Sequence, residues 1–248
     1  MTLGGYLDEI GLSWEVILVD DGTGDLRSSA SCCDPRVRVL ELPRNQGKGA
    51  AVRAGMLAAF GKVRVFTDVD LPYDLNLLPI IVDFIAVKGF HVVVGDRTLP
   101  SSRYALDLSV TRQLASAIFS TLVGRLVTGG FFDTQCGLKA FRDDVARAIF
   151  PRARVNRFAF DVELIYVALK HRLDIKRVPV RLRNNDTSSV RLVRDSLQML
   201  LDVFRIKFYQ MRGQYRSAAL DEIVTADFQA VAEIPRTNAG LLIPSAIE

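Results

Sequence analysis

Short β-branched apolar runs alternate with stretches of helical spacing along roughly the first hundred residues of this chain. EVILVDD (15–21), VRVLELP (37–43), VRVFTDV (63–69) and HVVVGDR (91–97) predict buried strands. GKGAAVRAGMLAAF (47–60) and LNLLPIIVDFIAVKG (75–89) predict the helices between them. This rhythm predicts an α/β fold, a mostly parallel sheet with helices on both faces. A helix is predicted over 107–126, with Gly129 and Gly130 as a break after it. GLKAFR follows, then a helical RFAFDVELIYVALKH (157–171) and a strand in DIKRVPVRLR. No internal repeat is visible.

Farther on, Val190, Val193, Leu197, Leu200, Leu201, Phe204, Phe208 and Met211 recur at helical spacing, flanked by Arg191, Arg194, Arg205, Lys207 and Arg212. Such an amphipathic helix can lie in a membrane interface, although on helix statistics alone packing on its own domain is the favoured reading. From 217 to 248 the periodicity fades and Pro235 and Pro244 intervene, which predicts a weakly structured tail. The expected organisation is one domain over 1–189, the amphipathic helix over 190–216 and the tail over 217–248.

Composition narrows the class. With 248 residues, 49% hydrophobic and 24% charged, the chain can bury a sizeable core. Mean hydropathy is +0.19, but the longest apolar stretch, LLPIIVDFIAV (77–87), is too short to span a bilayer and carries Asp83. No charged-then-apolar leader opens the chain, so export is not expected. Cys32, Cys33 and Cys136 have no metal-ligand spacing and point to a reducing compartment. A net charge of +4 suits anionic lipid or phosphate and is too mild for a nucleic-acid partner.

The strongest chemical signal is acidic. Asp68 and Asp70 close one strand and Asp20 and Asp21 close another. Carboxylates at the carboxyl ends of two buried strands call for a cation, and a divalent metal bridging to substrate phosphates answers that need. Strand-end acids that merely cap a turn are the bland alternative. RNQGKGAA (44–51) is a glycine-rich loop opening a helix, where backbone N–H groups and Lys48 could meet a phosphate. It lacks Walker A spacing, and an ordinary helix start explains it equally well. Asp161 and Glu163 stand two apart on a helix and do not face each other; one catalytic carboxylate or two exposed acids both fit. His91 and His171 show no partner in the sequence and read as structural.

Taken in order, VDDGTGD, RNQGKGAAVRAGM, TDVDLP, VVVGDR, DTQCGLKAFR, FAFDVELI and IKRVPVRL resemble the family-2 glycosyltransferases. Within these, the likeness is to the polyprenyl- and dolichyl-phosphate sugar transferases, particularly the glucosyltransferase branch, and it covers residues 13 to 212. The resemblance implies a single-domain GT-A (Rossmann-like) fold and an inverting, metal-dependent transfer from a nucleotide sugar to a polyprenyl or dolichyl phosphate. UDP-glucose is the favoured donor and GDP-mannose the next. Asp21 would lie by the base, with Asp20 and Lys48 also on the nucleotide sugar. Asp68 and Asp70 would form the Asp-x-Asp element, Asp70 binding the metal directly. Arg97, Arg112 and Ser116 would surround the acceptor or donor phosphates, Asp133 would be the position read as catalytic base, Gln135 would sit beside the donor sugar, and Arg183 would be a mobile arginine near the active site and the acceptor phosphate.

The residue types suit that chemistry. An acceptor phosphate is already anionic, so Asp133 need only orient or assist, and arginines fork onto phosphate oxygens. The resemblance also implies a peripheral place on the cytoplasmic face of a membrane, with a membrane-protein partner or homo-oligomer as further options. It departs in two places. Relatives open with a strand carrying a Pro-Ala-Tyr-Asn-Glu-like turn, whereas only 14 residues precede Glu15. The expectation is a late start, or a catalytically impaired or binding-only relative. Asp186 and Ser189 also replace the usual Gly and Lys. A phosphate-responsive receiver module and a dehalogenase-type phosphatase share the acidic pairs, but Pro72 and the length of the likeness disfavour them.

Overall fold

The computed structural model describes residues 3–24, 34–102, 123–124, 127–130, 133–181 and 192–232. A short helix α1 (Leu3–Glu9) leads to strands β1 (Val16–Asp20) and β2 (Val37–Glu41). Helix α2 (Lys48–Ala58) and strand β3 (Val63–Phe66) follow, then α3 (Leu77–Val82), extended by a wider π turn over Asp83–Val87. Strands β4 (Val92–Asp96) and β5 (Lys139–Arg142), helices α4 (Asp143–Ile149) and α5 (Phe160–Lys170), and strand β6 (Ile175–Pro179) complete the core. Helices α6 (Leu192–Met211) and α7 (Ala218–Ala232) close the described chain. The helix expected over 107–126 falls almost entirely outside the described residues.

The strands form two sheets. β1 and β2 pair in parallel, and the second sheet has the order β3-β5-β4-β6. Within it β4 and β6 are parallel, while β5 runs antiparallel to both β3 and β4. The sheet is therefore mixed rather than mostly parallel. The DTQCG segment runs along the carboxyl ends of the neighbouring strands, so β5 enters the sheet from that rim and must run the other way. Side chains of β4 alternate between two cores. Val92 and Val94 join Phe141, Phe150, Phe160 and Ile206, and Val93 joins Ile81, Ile85 and Val178 on the opposite face, so helices cover both sides.

The segment after 217 departs from the expected weak structure. Residues 218–232 form α7, with Leu220 fully buried and Ile223 and Val224 packed on the main core. Ser217 opens it, its hydroxyl accepting from the Leu220 N–H at 3.2 Å. The two histidines, partnerless by sequence, both meet this helix. His171 Nδ1 lies 2.7 Å from Asp221, and its Nε2 lies 2.7 Å from the Tyr215 carbonyl. His91 Nε2 stands 2.8 Å from Asp227, too bent for a hydrogen bond, while its Nδ1 accepts from the Asp174 N–H at 2.9 Å. Arg142 reaches Asp227 at 2.7 Å. Leu220, Ile223 and Val224 stand at helical spacing, but the polar partners that dock this helix lie far away in the sequence.

Candidate functional site

Four strand ends converge on one rim. The carboxyl ends of β1, β3 and β4 carry Asp20 and Asp21, Asp68 and Asp70, and Asp96 and Arg97. Because β5 is antiparallel, its amino end delivers Asp133 to Gly137 to the same rim, where Gly95 donates its N–H to the Leu138 carbonyl at 2.9 Å. This is the crevice at strand ends where open α/β sheets bind ligands.

Asp20 is buried, and its Oδ1 accepts from the Thr23 N–H at 2.8 Å and from the Thr23 hydroxyl at 2.9 Å, fixing the turn after β1. Asp21 accepts from the N–H groups of Gln46 and Gly47 at 2.7 and 2.8 Å. Gly22, at φ +74°, lies so close to Arg44 that a Cβ there would strike its backbone. The glycine-rich loop is thus clasped by Asp21, and those two loop donors meet a carboxylate in place of the phosphate that the sequence suggested. Lys48 is likewise turned to Asp68.

Asp68 is about a third exposed, and Asp70 is exposed on the turn beyond it. Leu71 closes that turn at φ 47°, an uncommon conformation for a non-glycine residue and a mark of a constrained loop. Gly137 lies directly against Asp68, where a Cβ would collide with Oδ2. Its N–H donates to the Tyr73 hydroxyl at 3.1 Å. Below this, fully buried Lys139 donates to the Cys136 carbonyl at 2.7 Å and to Asp161 at 2.5 Å. Burial pushes the Asp161 carboxyl upward against the pull of Lys139 and Lys48. Asp161 is therefore not an exposed acid but part of a charged floor under Asp68. The clue in the sequence was a lone lysine inside the strand KAFR. Glu163 is also buried, bonded to the N–H groups of Arg154 and Val155 and to the Tyr215 hydroxyl at 2.5 Å.

Across the rim, Arg97 clamps Asp133. Its Nη2 donates to Oδ1 at 2.6 Å, its Nε lies within 3.1 Å of both oxygens, and its backbone N–H donates to Oδ2 at 2.6 Å. Asp133 is only 4% exposed. A carboxylate held by three donors in this way is positioned rather than poised to abstract a proton. Gln135 is half-buried with its amide 3.7 Å from Met199 Sδ on α6. Asp96 is pushed up by burial, but bonds from Arg177 and Thr98 outweigh that and hold it below the usual carboxylate range. Arg112, Ser116 and Arg183 lie outside the described residues, as do Cys32 and Cys33.

Among the described residues no three His, Cys, Asp or Glu side chains gather into a metal cage. The donor set at Asp68 and Asp70 instead fits Mg²⁺ or Mn²⁺ held by one or two carboxylates, the other positions being left to waters and phosphate oxygens.

An α/β fold with acidic strand ends on a single rim suits metal–phosphate chemistry of several kinds, and comparison with known proteins selects among them. The Glycosyl transferase family 2 model matches residues 6–150, and the chain belongs to that family. It is 33% identical over 218 residues to a dolichyl-phosphate beta-glucosyltransferase of Dictyostelium discoideum, covering 84% of this chain and 67% of that protein. With the protein of that name from Drosophila melanogaster it shares 34% over 222 residues, 85% of this chain and 68% of the relative. The chain thus spans about two thirds of these relatives' length. Among solved structures, mannosyl-3-phosphoglycerate synthase from Rubrobacter xylanophilus aligns with a TM-score of 0.56 at 17% identity, over 86% of this chain and 70% of that one. Glucosyl-3-phosphoglycerate synthase from Mycobacterium tuberculosis, solved with UDP, aligns at 0.55 and 21% identity, over 83% and 75%. These likenesses show the GT-A fold, and the chain is a glycosyltransferase.

Proposed function

We propose that this chain transfers glucose from UDP-glucose to a polyprenyl phosphate of the dolichyl type, inverting the anomeric carbon, with Mg²⁺ or Mn²⁺ at Asp68 and Asp70. The observation that carries the reading is the meeting of Asp21, Lys48 and Asp68 with the Arg97–Asp133 clamp on one rim. The names of the curated relatives supply the substrate class, and a glucosyl-3-phosphoglycerate synthase crystallised with Mn²⁺ and UDP-glucose supports the ion and donor.

In the proposed reaction an acceptor phosphate oxygen bonds to the anomeric carbon as the bond to the nucleoside diphosphate breaks. The acceptor oxygen is already anionic, so no strong base is required. Asp133 keeps Arg97 aimed along the rim, where its guanidinium meets phosphate charge. Lys48 leaves Asp68 for the diphosphate when the donor arrives. An ion held by Asp68 and Asp70 would neutralise charge on the leaving diphosphate.

The acceptor's lipid tail requires a membrane surface. On α6, Met199, Val203 and Ile206 are buried against the core, while Leu201, Phe204, Phe208 and Met211 remain exposed. Arg205 and Arg212 flank this second apolar face, Arg212 stacking on Phe208 at 4.3 Å. That face supports peripheral attachment, and a cytoplasmic leaflet with its anionic lipids is the location we assign. No described helix is long and apolar enough to cross a membrane; a membrane-protein partner or a second copy could reinforce the attachment. A second reading, a relative that binds without turnover, is favoured by one observation, the break in the sheet between β1 and β3.

The test is incubation with polyprenyl phosphate and radiolabelled UDP-glucose or GDP-mannose, with Mn²⁺ or with chelator. Metal-dependent label from UDP-glucose in the lipid phase is expected. Label from GDP-mannose alone would overturn the donor; none from either, with UDP still bound, would favour the binding-only reading.

A further inference from the structure

One aromatic residue ties the turn that carries Asp68 and Asp70 to the segment that carries Asp133 and Gln135. The turn is closed by the Leu71 N–H, which donates to the Asp68 carbonyl at 3.0 Å. Just beyond it, Asp74 donates its N–H to the carbonyl of Arg181, past the end of β6, at 3.1 Å. Anchored there, Tyr73 buries its ring in the core that holds Ile81, Ile85 and Leu138.

The Tyr73 hydroxyl ends at a single peptide unit. The Gly137 N–H donates to the Tyr73 oxygen at 3.1 Å. The Cys136 carbonyl, the other end of the same peptide, accepts from Lys139 Nζ at 2.7 Å. Both bonds are buried, where a lost partner costs more than it would in water. Burial and the adjacent Cys136 thiol push the Tyr73 hydroxyl well above its usual range, so it adds no charge beside Asp68.

The peptide gripped in this way is the surface on which Asp68 rests. Gly137 lies so close to Asp68 Oδ2 that a Cβ would collide with it, while Lys48 takes Oδ1. One oxygen is thus steered by a side chain that departs in the proposed reaction, and the other by backbone that stays. Farther along, Cys136 packs on Gly95 of β4, and the Gly95 N–H donates to the Leu138 carbonyl at 2.9 Å. The segment is therefore fixed to β4 and the turn to the end of β6, with the Tyr73–Gly137 bond joining them. Without either of its two bonds the peptide plane is free to turn, and the surface beneath Asp68 turns with it.

We propose that Tyr73 is a positioning residue for the metal: its hydroxyl, with Lys139 opposite, locks the Cys136–Gly137 peptide, and the locked peptide holds Asp68 where a divalent cation and a diphosphate meet. The inference rests on the metal reading of Asp68 and Asp70 and adds to it a residue that touches neither ion nor donor. Groups that orient a metal's ligands set its affinity by roughly 10- to 100-fold.

Tyr73→Phe keeps the ring and removes the hydroxyl alone. Tyr6→Phe is the control, because Tyr6 donates its hydroxyl to Asn76 on the same loop, at 3.2 Å, rather than meeting Gly137. Two readouts need no turnover: exchange of the Gly137 amide in the metal-free chain, and Mn²⁺ binding with UDP present, followed by paramagnetic resonance of the free ion. Tyr73→Phe is expected to speed Gly137 exchange and to weaken Mn²⁺ binding, each about tenfold, with Tyr6→Phe matching the unaltered chain in both. A lower melting temperature with Mn²⁺ binding unmoved would overturn the inference and leave Tyr73 a core residue. So would an equal loss in both variants. Gly137→Ala attacks the same contact from the peptide side, and Mn²⁺ binding as tight as in the unaltered chain would likewise overturn it. Absence of Mn²⁺ binding by the unaltered chain would overturn the metal site and this inference together, whereas tight binding that ignores Tyr73 overturns this inference alone.

Discussion

β1 and β4 are alike in kind, VILVD and VVVGD, apolar runs that end in Asp, yet they live in different surroundings. All five residues of β4 are buried, whereas only Asp20 of β1 is. The difference is company: β4 lies between β5 and β6, and β1 has β2 on one side only. A β-branched run declares that it wants two covered faces and two paired edges, but neighbours decide whether it gets them. The half of the chain that holds Asp20 and Asp21 is the less completed half, and the half with Asp68, Arg97 and Asp133 is consolidated.

The largest expected effect lies where the halves should cooperate. Asp70→Ala should lower metal-dependent transfer by at least about 100-fold with little change in folding; unchanged turnover would remove Asp70 from the metal site. Next comes the consolidated half. Lys139→Ala strands Asp161 without its partner in a fully buried position, and urea unfolding should show a loss of about 3–5 kcal/mol. By contrast, Leu18→Ala in half-exposed β1 should cost only about 1 kcal/mol. Equal losses would erase the comparison.

The smallest effect concerns pH. Asp96 has a folded-state pKa held below its unfolded value, so its contribution is present above the unfolded pKa and fades as pH falls through the folded one. Melting temperature should therefore drop on acidification, and Arg177→Ala should flatten that drop, by about 1 kcal/mol or less since Arg177 is 39% exposed. An unaltered acid limb would remove the pair from the account.

Much of the fold could be read from the pattern. VRVFTDVD ends its strand just before the acids, and GKGAAVRAGMLAAF and RFAFDVELIYVALKH are helices within a few residues of their expected bounds. The GT-A expectation from the seven motifs holds. What stayed hidden depends on contacts between distant residues. No local signal says that KAFR runs antiparallel, that Asp21 grips the glycine-rich loop, or that Lys139 meets Asp161 across 22 positions. Residues 218–232 do place Leu220, Ile223 and Val224 at helical spacing, but their polar docking through Asp221 and Asp227 to His171, His91 and Arg142 is long-range. The rim itself was foreseen in Asp20, Asp21, Asp68 and Asp70, but not that Asp133 would lie locked under Arg97.

The central claim is that acids from both halves form one metal-dependent nucleotide site. Titration calorimetry of UDP into the chain, with Mn²⁺ or with chelator, tests it directly, with Asp68→Ala beside it. The account predicts UDP binding that requires Mn²⁺ and is lost in the variant. Binding of equal strength with chelator present, or in Asp68→Ala, would contradict it.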